Sequence, residues 1–269
     1  MAYRLIVNWS ARLRYRKTRP AVLALLTLLC LNFGTAAHSG TLSVLSQSRW
    51  VEVSEIFDGD TFKTSKGERV RLLGINTPEV AHEASPAQTM GNAASKALAD
   101  LIAGQTVRLD FDTQRKDDYG RTLAQVYLRN GTWVNGEMVR SGMAHVYTFT
   151  PNLHWAEQLI QLEASARQEK LGIWRTERFS MLEANKVKAE HLGQFRVIHG
   201  QVNQPSRNGF SFKLGRLNIS IPRKYRSYFR TPPDVKSGDS VVVHGVVRAS
   251  SSGLYVALHS PFDMEKISP

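Results

Sequence analysis

Residues 50–75, WVEVSEIFDGDTFKTSKGERVRLLGI, determine how the first part of the chain folds. Two turn signals, Asp58-Gly59-Asp60 and Lys66-Gly67, divide this stretch into runs rich in β-branched and aromatic residues at 50–57, 61–64 and 69–75. Runs of this kind separated by tight turns are typical of neighbouring antiparallel strands. The stretch therefore predicts a three-stranded meander.

The sequence that follows alternates between helical and strand patterns. Apolar residues at helical spacing predict helices over 90–102, 134–140 and 153–170, with glycines near their ends at Gly104, Gly142 and Gly172. Strands are expected at 107–111 and 123–128. Together with the meander, this order predicts an α+β fold in which helices pack on a five-stranded β-barrel, over residues 45–175.

A second set of short strands occupies the end of the chain. Runs at 195–202, 210–214, 217–221, 240–247 and 254–258 are separated by turn residues and contain almost no helical pattern. They predict a second small all-β domain, a barrel or a sandwich, over residues 192–267. The polar residues 176–191 are expected to be a linker between the two domains.

The first 37 residues have the composition of a secretory signal peptide. Six basic and no acidic residues precede or flank the apolar run 21–31, and small residues follow at 34–37. The apolar run has eleven residues, about half of the roughly 20 that a spanning helix needs. A permanent membrane anchor is therefore the less favoured alternative. We expect cleavage after Ala36 or Ala37, export to the periplasm or medium, and no stable membrane association afterwards.

Charge and cysteine content exclude several classes of protein. Cys30, the single cysteine, lies within the predicted signal, so neither a disulfide framework nor a cysteine zinc site is possible. After residue 37 the net charge is +6, and it is divided unevenly: −1 over residues 38–175 and +7 over residues 176–269. The second domain is therefore the half expected to meet a polyanion.

Polar residues that suit phosphate chemistry occur in three short segments of the first domain. The segments are FDGDT at 57–61, RLLGINTPE at 71–79 and DDYGR at 117–121. Each has an ordinary explanation when it is taken alone, as a turn, a helix start or a solvated arginine. Arg71 lies between apolar neighbours on a strand, so its side chain points away from the side of the sheet that Val70 and Leu72 occupy.

In their order and spacing these segments resemble the staphylococcal nuclease family. The resemblance runs from about Val51 to Trp174 and rests on DGDT, R-L-L-x-I-x-T-P-E, D-x-Y-G-R-x-L-A, V-N-x-x-x-V-x-x-G-x-A and K-L-G-I-W. The family implies an OB-fold barrel and Ca²⁺-dependent hydrolysis of phosphodiester bonds in DNA or RNA, with cleavage on the 5′-oxygen side and 3′-phosphate products. Outside the resemblance, we expect the second domain to be OB-like and the protein to be a monomer.

The resemblance assigns roles residue by residue. The implied Ca²⁺ ligands are Asp60, Asn76 and Thr77. The implied catalytic residues are Glu79, which activates water as a general base, and Arg71 and Arg121, which contact phosphate oxygens. The implied substrate contact is Tyr119, and Tyr147 and Phe149, which lie two residues apart, are further candidates as stacking faces for a base.

Two departures from the family pattern leave a second hypothesis open. Asn76 stands where the family has an aspartate, and Asp118 stands where the family often has a basic residue. The alternative function is therefore a non-catalytic nucleic-acid-binding protein on a degenerate barrel. Retention of Arg71, Glu79 and Arg121 together favours the enzyme. In the second domain the basic and aromatic run 223–230 is a further candidate for nucleic-acid contact, or else a helix that seals the barrel end.

Overall fold

The computed structural model describes residues 48–81 and 86–267 of the 269-residue chain. The predicted signal segment, residues 1–37, lies outside the described residues. Within the described ranges, the helices are all too short or too polar to cross a membrane.

The first barrel has five strands and confirms the predicted α+β fold. Its strands close in the order β1-β2-β3-β6-β5. They are Arg49–Ile56 (β1), Thr61–Thr64 (β2), Arg69–Leu72 (β3), Thr106–Asp110 (β5) and Thr122–Tyr127 (β6). A short pair outside the barrel joins Ile75–Asn76 (β4) to His145–Val146 (β7). The helices are Gly91–Ile102 (α1), Val134–Arg140 (α2) and Ala156–Gln168 (α3).

Strand alternation separates the core of this barrel from its chemistry. On β3, Val70 and Leu72 are 0% and 1% exposed and pack inside the barrel, whereas Arg71 between them points out of it. Phe62 on β2 and Leu109 on β5 fill the same core. Because the apolar side of β3 is fixed by this burial, the opposite side is free to carry Arg71 to the outer surface of the barrel.

The second barrel also closes with five strands. The strands β9, β10, β11, β13 and β12 follow one another, and β12 pairs back onto β9. They are Phe195–Asn203 (β9), Ser211–Leu214 (β10), Leu217–Ser220 (β11), Ser240–Ser250 (β12) and Gly253–Ala257 (β13), with Leu182–Glu183 (β8) added on β9 and Met264–Ile267 (β14) on β12. The fold predicted for this part of the chain is confirmed.

The residues predicted as a linker, 176–191, pack on the second barrel. Strand β8 pairs in parallel with β9, and the side chains of Phe179 and Ala184 are buried. The predicted domain bounds, 45–175 and 192–267, stay a prediction. The segment between them is a packed part of the structure. Its apolar residues are spaced too irregularly for the sequence to indicate that they are buried.

The two barrels share a buried apolar cluster and a buried polar network. Phe195 and Val242 of the second barrel pack against Ile173 and Trp174, which follow α3. Alongside, the carboxylate of Asp263 accepts hydrogen bonds from Thr148 Oγ1 at 2.6 Å and from the backbone amide of His259 at 2.6 Å. Ser260 Oγ donates to the same carboxylate and lies 3.0 Å from Thr148 Oγ1. The barrels are therefore held together by groups that lose their partners if the barrels separate.

A buried glutamate lies in this junction. Glu163 on α3 is 0% exposed, and its carboxylate oxygens make no side-chain hydrogen bond among the described residues. Its Oε2 lies 3.9 Å from Nδ1 of His244 on β12, and Arg167 bonds to the other side of that ring and to Glu265. Burial raises the pKa of Glu163, although the nearby His244 and Arg167 oppose the shift.

Glu163→Gln is expected to stabilise the protein at alkaline pH. The folded-state pKa of Glu163 is raised, so its contribution favours folding below the unfolded pKa and is lost as pH rises to the folded pKa. Thermal melts should therefore place the glutamine variant above the wild type at pH about 8 and near it at pH about 4. Glu157→Gln, an exposed change on the same helix, is the control. Equal differences at both pH values would contradict the expectation.

Candidate active site

The turn between β1 and β2 presents two aspartates close to α1. The carboxylate of Asp58 accepts a hydrogen bond from the backbone amide of Asp60 at 2.9 Å, which fixes the turn. Gly59 allows the close approach, because a Cβ there would lie 2.7 Å from the Cβ of Ala94 and 2.8 Å from side-chain atoms of Thr77. Burial, followed by the charge of Asp60, raises the pKa of Asp58.

Asp60 is the centre of a compact polar cluster. It is 4% exposed, and its Oδ2 accepts hydrogen bonds from the backbone amide of Thr77 at 3.0 Å and from Thr77 Oγ1 at 3.2 Å. Its Oδ1 forms an ion pair with Nη1 of Arg71 and accepts from Thr61 Oγ1. The other terminal nitrogen of Arg71 donates to Asn76 Oδ1 at 2.7 Å. Two oxygens of the cluster, from Asp60 and Asn76, therefore converge on one cationic group.

His145 fixes the orientation of the Asn76 side chain. The two residues are register partners in the β4–β7 pair, and Asn76 Nδ2 lies 3.4 Å from His145 Nε2 and donates to the carbonyl of Thr77 at 3.1 Å. Nδ1 of His145 lies 3.0 Å from the carbonyl of Val146, which accepts only, so the proton is on Nδ1 and Nε2 is an acceptor. Burial lowers the pKa of His145 to about 3, so the ring is neutral. The amide oxygen of Asn76 consequently faces Arg71.

The second barrel reaches this site through one aromatic ring. Phe195, the first residue of β9, stacks on His145 with ring centroids 3.8 Å apart and planes 19° from parallel. Phe195 also contacts the edge of Tyr147, at 6.4 Å between centroids. A residue of the second barrel thus supports the histidine that orients Asn76.

The remaining predicted catalytic residues are Arg121 and Glu79. Arg121 precedes β6, and its Nε donates to Asp117 at 2.7 Å while its guanidinium lies over the Tyr119 ring. In the parallel β3–β6 pair, Leu123 is the partner of Arg71. Arg121, two residues earlier, therefore lies on the same side of this pair as Arg71. Glu79 is exposed and lies two residues beyond Thr77.

The predicted stacking residues have different exposures. Tyr119 is 85% exposed and Phe149 is 38% exposed, so both offer ring faces to solvent. Tyr147 is half-buried, 6.1 Å from the Phe149 ring between centroids. Burial raises the pKa of the Tyr147 hydroxyl, with the charge of Arg248 acting in the opposite direction. These three assignments stay predictions.

The donor set suits a hard cation. Asp60, Asn76 and the Thr77 carbonyl supply oxygens only, which is the ligand type of Ca²⁺. The convergence of Asp60 Oδ1 and Asn76 Oδ1 on the Arg71 guanidinium marks a point where positive charge is stabilised. In the described part of the chain, no group of three His, Cys, Asp or Glu side chains is arranged to hold a metal. A cation here would rely on one carboxylate and on neutral oxygens.

Three contributors to the site were not predicted from sequence. Phe195 is predicted only as the first residue of a strand, and no sequence signal assigns a role to His145 or Thr148. Their roles depend on the β4–β7 pairing and on the junction between the barrels, which join residues 69 and 115 positions apart. The alternation of His145, Tyr147 and Phe149 after a glycine is the one local signal that could have suggested a shared surface.

Comparisons with known proteins find nucleases among the relatives of this chain. A family model described as Staphylococcal nuclease homologue matches residues 69–176. The chain is 37% identical over 125 residues to a thermonuclease of Staphylococcus intermedius, which covers 45% of this chain and 74% of the relative. It is 33% identical over 159 residues to a thermonuclease of Staphylococcus hyicus, with 57% and 93% covered. Endonuclease YncB of Bacillus subtilis is 35% identical over 147 residues, with 52% and 69% covered.

The closed five-stranded barrel and the helices packed on it define an OB-like fold. The chain belongs to the staphylococcal nuclease family. It is a nuclease, a hydrolase whose substrate is nucleic acid.

Proposed function

We propose that this protein is an exported, Ca²⁺-dependent nuclease that cleaves the 5′-oxygen side of phosphodiester bonds and leaves 3′-phosphates. The observation that carries the proposal is the convergence of Asp60, Asn76 and Arg71 at one point on the outer face of β3. Export rests on the composition of residues 1–37 alone.

Asp60, Asn76 and the carbonyl of Thr77 would hold the cation. When bound, Ca²⁺ supplies positive charge that polarises the phosphate and favours ionisation of a nearby water. The donor atoms are already grouped, because Thr77 bonds to Asp60 and His145 turns the amide oxygen of Asn76 toward the same point. Arg71 pairs with two of these oxygens, so a cation held by them would replace Arg71 there and leave its guanidinium available to phosphate.

Side chains of the protein have separate roles in the hydrolysis. Glu79 accepts a proton from the attacking water, which requires an ionised carboxylate close to the phosphate. Arg71 and Arg121 lie on one side of the β3–β6 pair and donate to phosphate oxygens as negative charge accumulates there. Tyr119, next to the Arg121 guanidinium, contacts the nucleotide, and a nucleobase stacks on the rings of Phe149 and Tyr147.

End-group analysis of the products tests the direction of cleavage. A single-stranded oligonucleotide labelled at its 5′ end is digested, and the products are treated with a phosphatase that removes 3′-phosphates. A mobility shift after the treatment is the expected result. Products that carry 3′-hydroxyl ends would contradict the proposed chemistry, although they would still come from a nuclease.

Asn76→Asp is expected to tighten Ca²⁺ binding. Calcium affinity in oxygen sites depends on the number of charged ligands, and a unit charge near a divalent ion is worth on the order of a few kcal/mol before desolvation. Part of the gain is offset because the new carboxylate also pairs more strongly with Arg71. Calorimetric titration of Ca²⁺, with a nucleotide present, measures the difference. Asp58→Asn, which removes a neighbouring charge, is the comparison and should weaken binding. Unchanged or weaker binding by Asn76→Asp would mean that Asn76 is not a ligand.

A further inference from the structure

The two barrels form a continuous surface beside the candidate active site. Tyr147 of the first barrel and His259 of the second line the same narrow cleft at the junction. Phe149 lies 6.1 Å from Tyr147, and Tyr225 lies 4.5 Å from His259, measured between ring centroids. Aromatic rings therefore line the surface from the nuclease site to the second barrel.

Two exposed basic residues flank these rings. Lys224 Nζ lies 4.7 Å from the centre of the Tyr225 ring. Arg248 follows His244 and Val246 on one side of β12, and both of those residues line the cleft. The positive charges of Arg248 and Lys224 both act on His259. The surface thus combines positive charge with half-buried rings.

The residues of the basic and aromatic run 223–230 lie in different environments. Phe229 is buried in the second core, and Arg226 lies over the Phe210 ring and donates to the carbonyl of Ile221. These residues hold the segment in place. Lys224 is exposed, and Tyr225 packs against the second core and lies beside His259 at the junction.

The junction also fixes the relative positions of the two halves. Thr148, next to Tyr147, donates to Asp263, and the backbone amide of His259 donates to the same carboxylate. Asp263 is 8% exposed and accepts four hydrogen bonds, so its charge is largely satisfied by the protein. The buried carboxylate of Asp263 therefore fixes the positions of Tyr147 and His259 relative to each other.

We propose that the junction surface, consisting of Phe149, Tyr147, His259, Tyr225, Lys224 and Arg248, binds single-stranded nucleic acid that extends from the active site onto the second barrel. Ring faces accept bases of any sequence, and basic side chains follow the phosphates. Duplex DNA keeps its bases stacked and offers no free faces to these rings. The inference rests on the proposed nuclease function, because it assigns the path of the same substrate.

Lys224→Ala combined with Arg248→Ala, in the full chain, tests the proposal. The control is Arg216→Ala combined with Lys236→Ala, which removes two exposed charges from the same barrel beside a groove that Gly215 and Ser237 line. Deleting residues 190–269 is not a usable test, because it uncovers Ile173, Trp174 and His145. Fluorescence anisotropy measures the affinity for single strands of about 4 and about 16 nucleotides and for a duplex.

The expected result is a loss of about tenfold in affinity for the long single strand at low salt, with a smaller loss for the short one. The salt slope of the long strand should fall by roughly 1.4, which corresponds to two phosphate contacts. The control variant should keep both values. Equal affinity and slope in test and control variants would overturn the proposal. An equal loss on the duplex would overturn the assignment to single strands.

Failure of the nuclease function gives a different result. Anisotropy is measured with excess chelator, where the strand is expected to stay intact, and a gel of the same mixtures after addition of Ca²⁺ reports cleavage. Wild-type protein that binds the long strand without cutting it would contradict the proposed function and leave the binding surface intact. Wild-type protein that cuts normally while the test variant binds as the control does would contradict the surface alone.

Discussion

Glu79→Gln and Arg121→Ala are each expected to lower turnover about 10²-fold or more, since positioned acid–base groups and donors to developing negative charge contribute about that much. Glutamine has the shape of glutamate and cannot take a proton from water at neutral pH. Arg121→Ala leaves Asp117 without its side-chain donor. That carboxylate keeps hydrogen bonds from two backbone amides, at 3.0 Å and 2.9 Å, so the loop stays ordered.

Steady-state turnover on single-stranded DNA measures both effects. The matched controls are Glu157→Gln and Arg129→Ala, exposed residues of the same barrel. Arg121→Lys should recover only a small part of the loss, because a lysine cannot make the paired contacts of a guanidinium. Turnover within a few-fold of wild type, with unchanged circular dichroism, would show that the assigned roles are wrong.

Phe195→Ala is expected to destabilise the protein by about 3–5 kcal/mol and to lower activity as well. The ring is buried between the barrels and stacks on His145, which orients Asn76. Removing it leaves a cavity in the junction and frees the histidine to turn. Urea unfolding measures the stability, and Phe195→Leu serves as a milder variant if the alanine form does not fold.

Phe212→Ala separates the effect on the site from the loss of stability. Phe212 is buried in the second barrel, in the core cluster that does not include His145. We expect a similar fall in stability, but turnover close to wild type under conditions where both variants are folded. If Phe195→Ala and Phe212→Ala lose the same fraction of activity when folded, Phe195 has no role in orienting the site.

The sequence allowed most of the fold to be predicted because local signals were strong. The turns at Asp58-Gly59-Asp60 and Lys66-Gly67 defined the three-stranded meander, and alternation at Val70, Arg71 and Leu72 predicted that Arg71 points outward. The helix 134–140 was predicted with the observed bounds. Such features depend on neighbouring residues and can be inferred without tertiary contacts.

The parts that could not be predicted depend on contacts between distant segments. The stacking of Phe195 on His145 requires the second barrel to dock, and nothing in the run that begins at Phe195 distinguishes it from an ordinary strand. The sequence does not indicate that Asp263 joins the two barrels, because an aspartate near a proline is usual in turns. Residues 176–191 were too polar to indicate that Phe179 is buried. Arg71 was expected to face phosphate, and its pairing with Asp60 and Asn76 emerges only from the folded chain.

Digestion of single-stranded DNA by the purified protein, with Ca²⁺ and with excess chelator, tests the central claim most directly. Glu79→Gln is included as the inactive control, and anisotropy on the same samples reports whether DNA is bound. The account predicts cleavage in Ca²⁺, no cleavage in chelator, and recovery when Ca²⁺ is restored. Full activity in chelator would contradict the role of the cation at Asp60 and Asn76. Binding without cleavage under every condition would favour the non-catalytic alternative.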